Sequence, residues 1–438
     1  MKHFTFFLVF FFFVNQNYSA QQNLDTYFDH LFDNKKMMGS IAISHKDSIV
    51  YSKQIGYSNA ETKKMIDENT KFRVASITKT YTAVLILKAI EEQKLKLKTK
   101  LSSYYPQIKN AEKITIEQLL KHRTGIYNFT EKDDELDWEK NFHSQDEFIN
   151  YVLNEKSNFK PGTQYEYSNT NYALLGFILE KIYQKSYAEI LDEKIAKPLN
   201  LKNTYYSFEI DETKNEALSY NIQDNYLKNT TVNYSNHPGS GGITSTPREV
   251  NKFLSAVFEG KLISAKTLEM MLPKKAGEYG FGIIKLGFTD VDAYEHTGRV
   301  ENFISEYWYF PKQRLGFVCL TNAVNIDTTE IMNNLVGYAY QKSATLKNYK
   351  TIDEMSEDKF SKIKGTYRGS NKKESITISS NGKKMTLQAS EAGQIYFTLQ
   401  NKGNNTFQSD NVKLTFHPEK EELIFTQEGI TEIFKKQL

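Results

Sequence analysis

Three short stretches of this chain carry residue types suited to nucleophilic catalysis, and the first is FRVASITKTYTAVLIL, residues 72–87. It places Ser76 and Lys79 three residues apart at the start of a strongly apolar run, where both side chains would face one side of a helix. A buried lysine has a lowered pKa, so its neutral amine could take the serine proton. The stretch predicts a nucleophile with its base, although a helix start whose Lys79 reaches out to solvent explains the same letters.

The Ser-x-x-Lys pattern alone does not choose the serine, because this chain is rich in lysine. It occurs six times, beginning at Ser76, Ser157, Ser356, Ser361, Ser370 and Ser380. Only the copy at Ser76 stands before a predicted buried helix, and the N-terminal end of a helix favours negative charge that develops on a nearby serine. Its setting therefore selects Ser76.

The second stretch is Tyr-Ser-Asn, which occurs at Tyr57, Tyr167 and Tyr234. The middle copy lies in PGTQYEYSNTNYALLG, after a Pro-Gly turn and just before a predicted helix. There Tyr167 and Asn169 can project from the same side, the phenol to move a proton and the amide to orient a carbonyl. The copies at Tyr57 and Tyr234 are interpreted as turns.

The third stretch is EHTG, the only place where histidine or lysine precedes Thr-Gly. It is followed by strand-like sequence, and a glycine on an edge strand lets a ligand approach the backbone closely. His296, Thr297 and Gly298 are therefore candidates for a substrate-binding edge, whereas a surface histidine in a turn is the alternative.

Taken together, S-I-T-K, Y-S-N and H-T-G follow one another in an order that resembles the serine β-lactamase and penicillin-binding protein superfamily. ITIEQLLKHRTGI, KPLNLKNT and GSGGITSTPREVNKF are similar to further segments of that family, and the resemblance covers roughly Leu24 to Asn325. It implies an α/β (α+β) fold, namely a β-lactamase/transpeptidase-like three-layer domain with an antiparallel sheet and an all-helical lobe.

The resemblance also points to one branch of the family. Tyr-x-Asn in place of Ser-x-Asn is similar to class C β-lactamases, secreted DD-carboxypeptidases and esterases. Class C β-lactamases carry Lys-Thr-Gly, whose ammonium helps to hold the β-lactam carboxylate, whereas His-Thr-Gly resembles the DD-carboxypeptidases and esterase-like members. We therefore expect a hydrolase of D-amino-acid peptides or small esters. A β-lactamase and a non-hydrolytic protein that binds penicillin or cell-wall fragments are the alternatives.

The matched residues receive catalytic roles from the same resemblance. Ser76 is expected to attack an amide or ester carbonyl and form an acyl-enzyme, with Lys79 and Tyr167 sharing the base role. His296 is expected either to assist proton transfer to the leaving group or to bind substrate. The reaction requires neither a metal nor an organic cofactor.

Further residues are expected to bind the substrate. The backbone N–H groups of Ser76 and Arg299 are expected to form the oxyanion hole, and Asn169 to orient the substrate amide. Thr297, Gly298 and Arg299 would line the cleft. Arg299 stands where the family has a small residue, so its guanidinium either blocks the cleft or holds a substrate carboxylate.

The elements that must position these residues can be read from apolar spacing and turn signals. GSIAISHKDSIVYSKQIGYSN predicts a β-hairpin, and the run from Ser76 to Ile90 predicts a helix buried in the domain centre. TIEQLL and TPREV start helices at Thr115 and Thr246, and NTNYALLGFILEKIY has helical spacing. EYWYFPKQRLGFVCLTN predicts two strands joined by a turn at 311–314. Strands at both ends predict a sheet closed by the N- and C-terminal segments of the domain.

The chain divides into four predicted segments. Residues 1–20 are a signal peptide, with Lys2, an apolar run from Phe4 to Val14 and a small-residue cleavage region. Residues 21–346 are the hydrolase domain and 347–358 a polar linker. Residues 359–438 are a small β-barrel or sandwich domain, in which Asn381-Gly382 marks a hairpin turn and VKLTFHP and ELIFTQ are strand-like.

The signal sequence predicts a secreted or periplasmic protein. Its 11-residue apolar run is too short to span a bilayer of about 30 Å as a helix, and no cysteine follows it that could carry a lipid. Cys319 is the only cysteine, so no internal disulfide can form, and in LGFVCLTN it is expected to be a buried strand residue.

Composition narrows the expected partners. Of 438 residues 39% are hydrophobic, which suffices for a sizeable core, and 56 basic residues against 53 acidic ones give a net charge of only +3. A balanced charge gives no general attraction to nucleic acid. The eight histidines show no metal-ligand spacing, so no metal site is expected. The expected partner is a small-molecule or peptide substrate, peptidoglycan fragments included, and the oligomeric state is left open.

Overall fold

The computed structural model describes residues 23–131, 138, 140–222, 225–229, 231–287, 291–347, 357–369, 375–381, 384–389, 397–398, 400–409, 412–427 and 430–437. The predicted signal peptide lies outside these residues, as do residues 348–356 of the predicted linker. Both therefore stay predictions. In the described part of the chain, none of the helices has the length and apolar character that crossing a membrane requires.

The helices are distributed along the whole chain. They are α1 (23–33), α2 (Thr78–Glu91), α3 (Ile116–Leu120), α4 (Gln145–Leu153), α5 (Asn169–Tyr183), α6 (Tyr187–Leu191), α7 (Pro247–Phe258), α8 (Ala265–Met271), α9 (Thr328–Ala339) and α10 (Glu357–Ile363). A short 3-10 helix, Ala75–Ile77, leads directly into α2.

The strands that precede the C-terminal region form one large sheet and several small ones. In chain order they are β1 (Met37–His45), β2 (Ser48–Ile55), β3 (Tyr57–Asn59), β4 (Lys64–Met65), β5 (Phe72–Arg73), β6 (Tyr205–Tyr206), β7 (Tyr220–Ile222), β8 (Tyr226–Lys228), β9 (Ile243–Ser245), β10 (Ile284–Lys285), β11 (Tyr294–Val300), β12 (Phe303–Phe310) and β13 (Leu315–Val324).

The large sheet has the order β10-β11-β12-β13-β1-β2, and all its neighbouring strands are antiparallel. The predicted hairpin is β1 with β2, and the predicted strand pair is β12 with β13. Strand β1 pairs with β13, with Ile41 opposite Cys319. The prediction that N- and C-terminal segments close the sheet is confirmed, and so is the burial of Cys319 in a strand.

Both faces of this sheet are covered, because successive side chains of a strand point to opposite sides. Along β13, Phe317 belongs to an outer core together with residues of α1 and α9, such as Leu31 and Leu335. Its neighbour Val318 belongs to an inner core with residues of α2, α5 and α7. Helices on both faces of an antiparallel sheet form the three layers that were expected.

Local signals correctly placed the helices around the candidate site. Thr115 accepts a hydrogen bond from the N–H of Gln118, whose side chain accepts one in return from the N–H of Thr115. Thr246 caps α7 in front of Pro247. Of the 14 residues of α2, 11 are buried, as its apolar composition predicted.

The described part of the C-terminal region is built from strands, the short helix α10 and a 3-10 helix at Pro418–Lys420. Its strands are β14 (Gly365–Arg368), β15 (Ser375–Asn381), β16 (Lys384–Ala389), β17 (Phe397–Thr398), β18 (Gln400–Gly403), β19 (Thr406–Ser409), β20 (Val412–His417), β21 (Glu422–Gln427) and β22 (Ile430–Lys436). They form one antiparallel nine-stranded sheet with a hydrophobic cluster of its own. Asn381 pairs with Lys384, although Gly382 of the predicted turn lies outside the described residues. The all-β character is confirmed, whereas the boundaries at 346, 347, 358 and 359 stay predictions.

Candidate active site

Ser76 is presented by a tight turn between β5 and α2. Its predecessor Ala75 has φ 45°, a left-handed conformation that few non-glycine residues adopt and that is often found at functional sites. Ala75 and Ile77 are buried, whereas Ser76 is partly exposed. The turn is held from β9, because the N–H of Val74 bonds to the carbonyl of Ile243 at 2.9 Å. The backbone therefore buries both neighbours and leaves the hydroxyl accessible.

Lys79 lies one turn further along and is completely buried. Its Nζ lies 2.9 Å from Ser76 Oγ, 2.7 Å from Asn169 Oδ1 and 2.7 Å from the carbonyl oxygen of Ser240. The side chain therefore does not reach out to solvent, and the alternative interpretation of Lys79 is excluded. Burial lowers the pKa of this amine well below its ordinary value.

The partners of Lys79 suit a neutral amine. A neutral amine has two N–H donors and one lone pair, whereas the Ser240 carbonyl can only accept. Asn169 also accepts here, because its Nδ2 donates to Thr130 Oγ1 at 2.9 Å, which leaves Oδ1 for Lys79. Two acceptors occupy both N–H groups. The lone pair then faces Ser76 Oγ, in the position of a base for the serine proton.

Tyr167 approaches the same hydroxyl from the loop that precedes α5. Its OH donates to Ser76 Oγ at 3.0 Å, and its ring centroid lies 5.0 Å from Lys79 Nζ. Burial raises the phenol pKa, so the group is protonated at neutral pH. The other Tyr-Ser-Asn copies take no part in this cluster. Tyr57 begins strand β3, so the predicted turn there is wrong, whereas Tyr234 begins a 3-10 turn.

Asn169 is the first residue of α5 and makes three hydrogen bonds to protein groups. Its backbone N–H donates to Asn128 Oδ1 at 2.9 Å, its Oδ1 accepts from Lys79, and its Nδ2 donates to Thr130. The structure thus brings Asn169 into the cluster with Ser76 and Lys79. Its contact with a substrate amide stays a prediction.

His296 lies on β11 with 2% of its surface exposed. Its Nδ1 is 2.6 Å from the carbonyl oxygen of Thr297, which can only accept, so this nitrogen carries the proton. Its Nε2 is then an acceptor for the hydroxyl of Tyr279 at 3.0 Å. Burial and the nearby Lys79 lower the pKa of His296 to about 3. The His296 ring is therefore neutral and forms part of the wall of the site, and both of its nitrogens are hydrogen-bonded to protein groups.

Gly298 brings β11 against the turn that carries Ser76. A Cβ atom at this position would lie 2.5 Å from the carbonyl oxygen of Val74 and 2.8 Å from the Ser76 nitrogen. Ser305 on β12 reinforces the contact, since its Oγ donates to the Val74 carbonyl at 2.7 Å. Only glycine permits this approach. Thr297 is exposed and Arg299 half-buried beside it, so both line the strand edge next to Ser76.

Sequence reasoning missed three contributors to this site. Ser240 acts through its backbone carbonyl, which no residue pattern reveals. Tyr279 lies in EYGFG, and only its bond to His296 marks it. His122 lies in the quoted segment ITIEQLLKHRTGI, yet its ring is completely buried with its centroid 4.4 Å from that of Tyr167.

Comparisons with known proteins agree with this geometry. A family model described as Beta-lactamase matches residues 24–338. Protein flp of Staphylococcus aureus strain MRSA252 is 28% identical over 357 residues, which cover 77% of this chain and 69% of that protein. The teichoic acid D-alanine hydrolase of the same strain is 26% identical over 245 residues, covering 56% of this chain and 60% of that protein.

A solved structure shows the same fold. D-amino acid amidase from Ochrobactrum anthropi SV3, in complex with D-phenylalanine, is 21% identical with a TM-score of 0.65, covering 74% of this chain and 99% of that one. The family model spans well over half of the chain, which confirms the resemblance carried by the three motifs. This protein belongs to the beta-lactamase family, within the superfamily of serine β-lactamases and penicillin-binding proteins.

Proposed function

We propose that this protein is a secreted serine hydrolase that works through an acyl-enzyme on Ser76. The observation that carries the proposal is the convergence of two groups on one hydroxyl. Lys79 Nζ lies 2.9 Å and Tyr167 OH 3.0 Å from Ser76 Oγ. A serine joined to a neutral amine and a protonated phenol has both a base and a proton donor at hand.

In the acylation step, Ser76 Oγ forms a bond to the carbonyl carbon of an amide or ester, and the serine proton passes to the Lys79 amine. The tetrahedral intermediate carries negative charge on its oxygen, which the N–H groups of Ser76 and Arg299 would stabilise. When it collapses, the C–N or C–O bond breaks. The leaving group takes up the proton through the hydroxyl of Tyr167.

In the deacylation step, a water molecule attacks the ester carbonyl of the acyl-enzyme. Its proton passes to the same two groups, Lys79 and Tyr167, and from them returns to Ser76 Oγ as the ester bond breaks. The products are the free serine and a carboxylic acid. The neutral His296 would form part of the wall of the site and would hold Tyr279 in position. It would not act as a cation that binds a substrate carboxylate.

The substrate class is inferred from the wall of the site that His296 forms. A neutral His296 with both nitrogens occupied offers no cation for a substrate carboxylate, which favours esterase-like activity on small esters and D-amino-acyl groups without a free carboxylate over β-lactam hydrolysis. A DD-carboxypeptidase-like activity on D-amino-acid peptides, whose terminal carboxylate needs a cation, would depend on the guanidinium of Arg299. The names of the amidase and of the teichoic acid hydrolase describe D-amino-acyl groups as their substrates. Secretion follows from residues 1–20, and residues 359–438 would form a separate β-domain beyond the hydrolase domain at 21–346.

The test is a turnover assay on purified protein with a chromogenic ester, a D-alanine anilide, a D-Ala-D-Ala peptide and benzylpenicillin. We expect turnover of the ester or of D-alanyl substrates, abolished in Ser76→Ala. Ser157→Ala is the matched control, because Ser157 also begins a Ser-x-x-Lys sequence but bonds to the carbonyl of Gly125. Fast hydrolysis of penicillin alone would make the protein a β-lactamase. Binding without turnover of any substrate would make it a non-hydrolytic protein.

A further inference from the structure

We propose that His122 is a positioning residue that holds Tyr167 against Ser76. The inference rests on the proposed acyl transfer, in which Tyr167 moves a proton. His122 acts through Tyr167. Its contacts are with the ring of Tyr167 and with the backbone of the residues on either side of it.

The backbone on either side of Tyr167 is tied to this one histidine. The N–H of Glu166 donates to the carbonyl oxygen of His122 at 3.0 Å. The N–H of Ser168 donates to the ring nitrogen Nδ1 of His122 at 3.1 Å. The backbone N–H groups before and after Tyr167 therefore both donate to His122, one to its carbonyl and one to its ring. The loop cannot shift at Tyr167 without breaking one of these two hydrogen bonds.

The ring of His122 also supports the ring of Tyr167 directly. The two centroids lie 4.4 Å apart at an interplanar angle of 32°. His122 is enclosed in turn by Tyr172 at 5.1 Å and by Tyr279 at 4.7 Å. A completely buried ring with aromatic neighbours cannot move aside. The orientation of the Tyr167 phenol is thereby set before any substrate arrives.

This geometry requires a neutral histidine in one tautomer. Nδ1 accepts from Ser168, so the proton resides on Nε2. Burial, Lys79 and His296 all lower the pKa of His122 well below its ordinary value. The side chain therefore supports Tyr167 without placing a positive charge beside the neutral amine of Lys79.

The backbone of His122 explains why few residues could replace it. Its φ is 52°, in the left-handed region, just beyond the end of α3 at Leu120. Histidine, asparagine and aspartate adopt this conformation more readily than most other residues. Asparagine is also the closest mimic of the acceptor, because its Oδ1 is separated from Cβ by the same number of bonds as Nδ1 of histidine. Glutamine places its oxygen one bond further away.

The experiment compares His122→Asn, His122→Gln and His122→Ala in the full chain. We expect the Gln and Ala variants to lose about 100-fold in kcat with KM changed by less than about twofold, since misplacing a catalytic group by about 1 Å costs that much. The Asn variant keeps an acceptor for the N–H of Ser168 but lacks the ring, so it should lose clearly less kcat than the Gln and Ala variants. Leu31→Ala, in the outer core with α1, is the control for a loss of stability alone; it should lower the melting temperature and leave kcat unchanged.

The proposal would be overturned if all three His122 variants lost kcat equally and in proportion to their loss of melting temperature. It would also be overturned if the Gln and Ala variants kept the wild-type kcat. A second readout, the rate at which a fluorophosphonate labels Ser76 by intact mass, does not depend on the natural substrate. If the wild type labels at Ser76 but turns over no substrate, the proposed function fails. The ranking of the labelling rates, Asn above Gln and Ala, then still decides the role of His122.

Discussion

Gly298 lies so close to Ser76 that a Cβ atom on the glycine would be 2.8 Å from the backbone nitrogen of the serine. The edge of the large sheet and the turn of the nucleophile are thus one packed unit. Because Gly298 has no side chain, strand β11, which carries Thr297 and Arg299, packs directly against the backbone N–H of Ser76. This contact makes the geometry of the candidate site sensitive to a single methyl group.

Gly298→Ala should therefore damage the site. The added methyl group would also meet the Val74 carbonyl oxygen at 2.5 Å, and backbone atoms cannot rotate away. We expect a stability loss of about 1–3 kcal/mol and a fall in kcat/KM of about 100-fold, measured by urea denaturation and ester hydrolysis. Gly287→Ala is the control, because a Cβ there meets nothing within 4 Å. Full activity in Gly298→Ala would show that the contact is not required.

Asn169→Asp should shift the pH dependence of activity. A carboxylate 2.7 Å from Lys79 Nζ would favour the ammonium form and raise the lowered lysine pKa. Because the base must be neutral, we expect the acid limb of the kcat/KM profile to move to higher pH by at least about one unit. The exposed Asn150→Asp variant should leave the profile in place. An unshifted acid limb in Asn169→Asp would remove Lys79 from the role of base.

His296 should make the protein acid-sensitive. Its folded-state pKa of about 3 lies below its ordinary value of 6.5, so between these values the unfolded chain binds a proton that the native state does not. The contribution of His296 to the free energy of unfolding is therefore fully present above pH 6.5. It falls by up to about 1.4 kcal/mol per pH unit as the pH drops toward 3. His296→Gln should flatten this dependence in urea titrations at pH 7 and pH 4. The exposed His45→Gln serves as control, and equal pH dependence in both variants would refute the assignment.

Glu306 should have the opposite effect. It is buried on β12 and accepts a hydrogen bond from Trp308 Nε1 at 2.8 Å, and burial raises its pKa to about 7. Between pH 4.5 and 7 the native state holds a proton that the unfolded chain has released, so stability falls as pH rises through 7. Glu306→Gln should raise the melting temperature at pH 8 and leave it unchanged at pH 4. The exposed Glu269→Gln should change neither, and a Glu306→Gln protein that melts lower at pH 8 would contradict the argument.

Much of the frame could be predicted because its signals are local. The Thr115 capping box, Pro247 at the start of α7 and the apolar run of α2 each act within one helix, so the sequence suffices to place them. The pairing of β1 with β13 joins segments far apart in the chain. The strand pattern predicted that the two terminal segments close the sheet, but not which strands pair. The Tyr57 turn was predicted wrongly, since three residues of strand β3 are set by pairing with β4 and not by their own types.

The candidate site was predictable where side chains three residues apart share a helix, as with Ser76 and Lys79. It was not predictable where backbone groups or distant rings decide the contacts. The carbonyl of Ser240, the bond from Tyr279 to His296 and the left-handed backbone of His122 are all products of tertiary packing. Sequence types alone left His296 as a possible proton carrier, whereas burial and its two hydrogen bonds make it a neutral wall residue.

The role of Ser76 as nucleophile is tested most directly by intact-mass spectrometry of the protein quenched in acid during turnover of an activated ester. We expect an added mass equal to the acyl group, located by peptide mapping to Ser76. The added mass should be lost in Ser76→Ala and retained in Ser157→Ala. An adduct on another residue, an adduct that persists in Ser76→Ala, or ester turnover by Ser76→Ala at the wild-type rate would contradict the claim that Ser76 is the nucleophile.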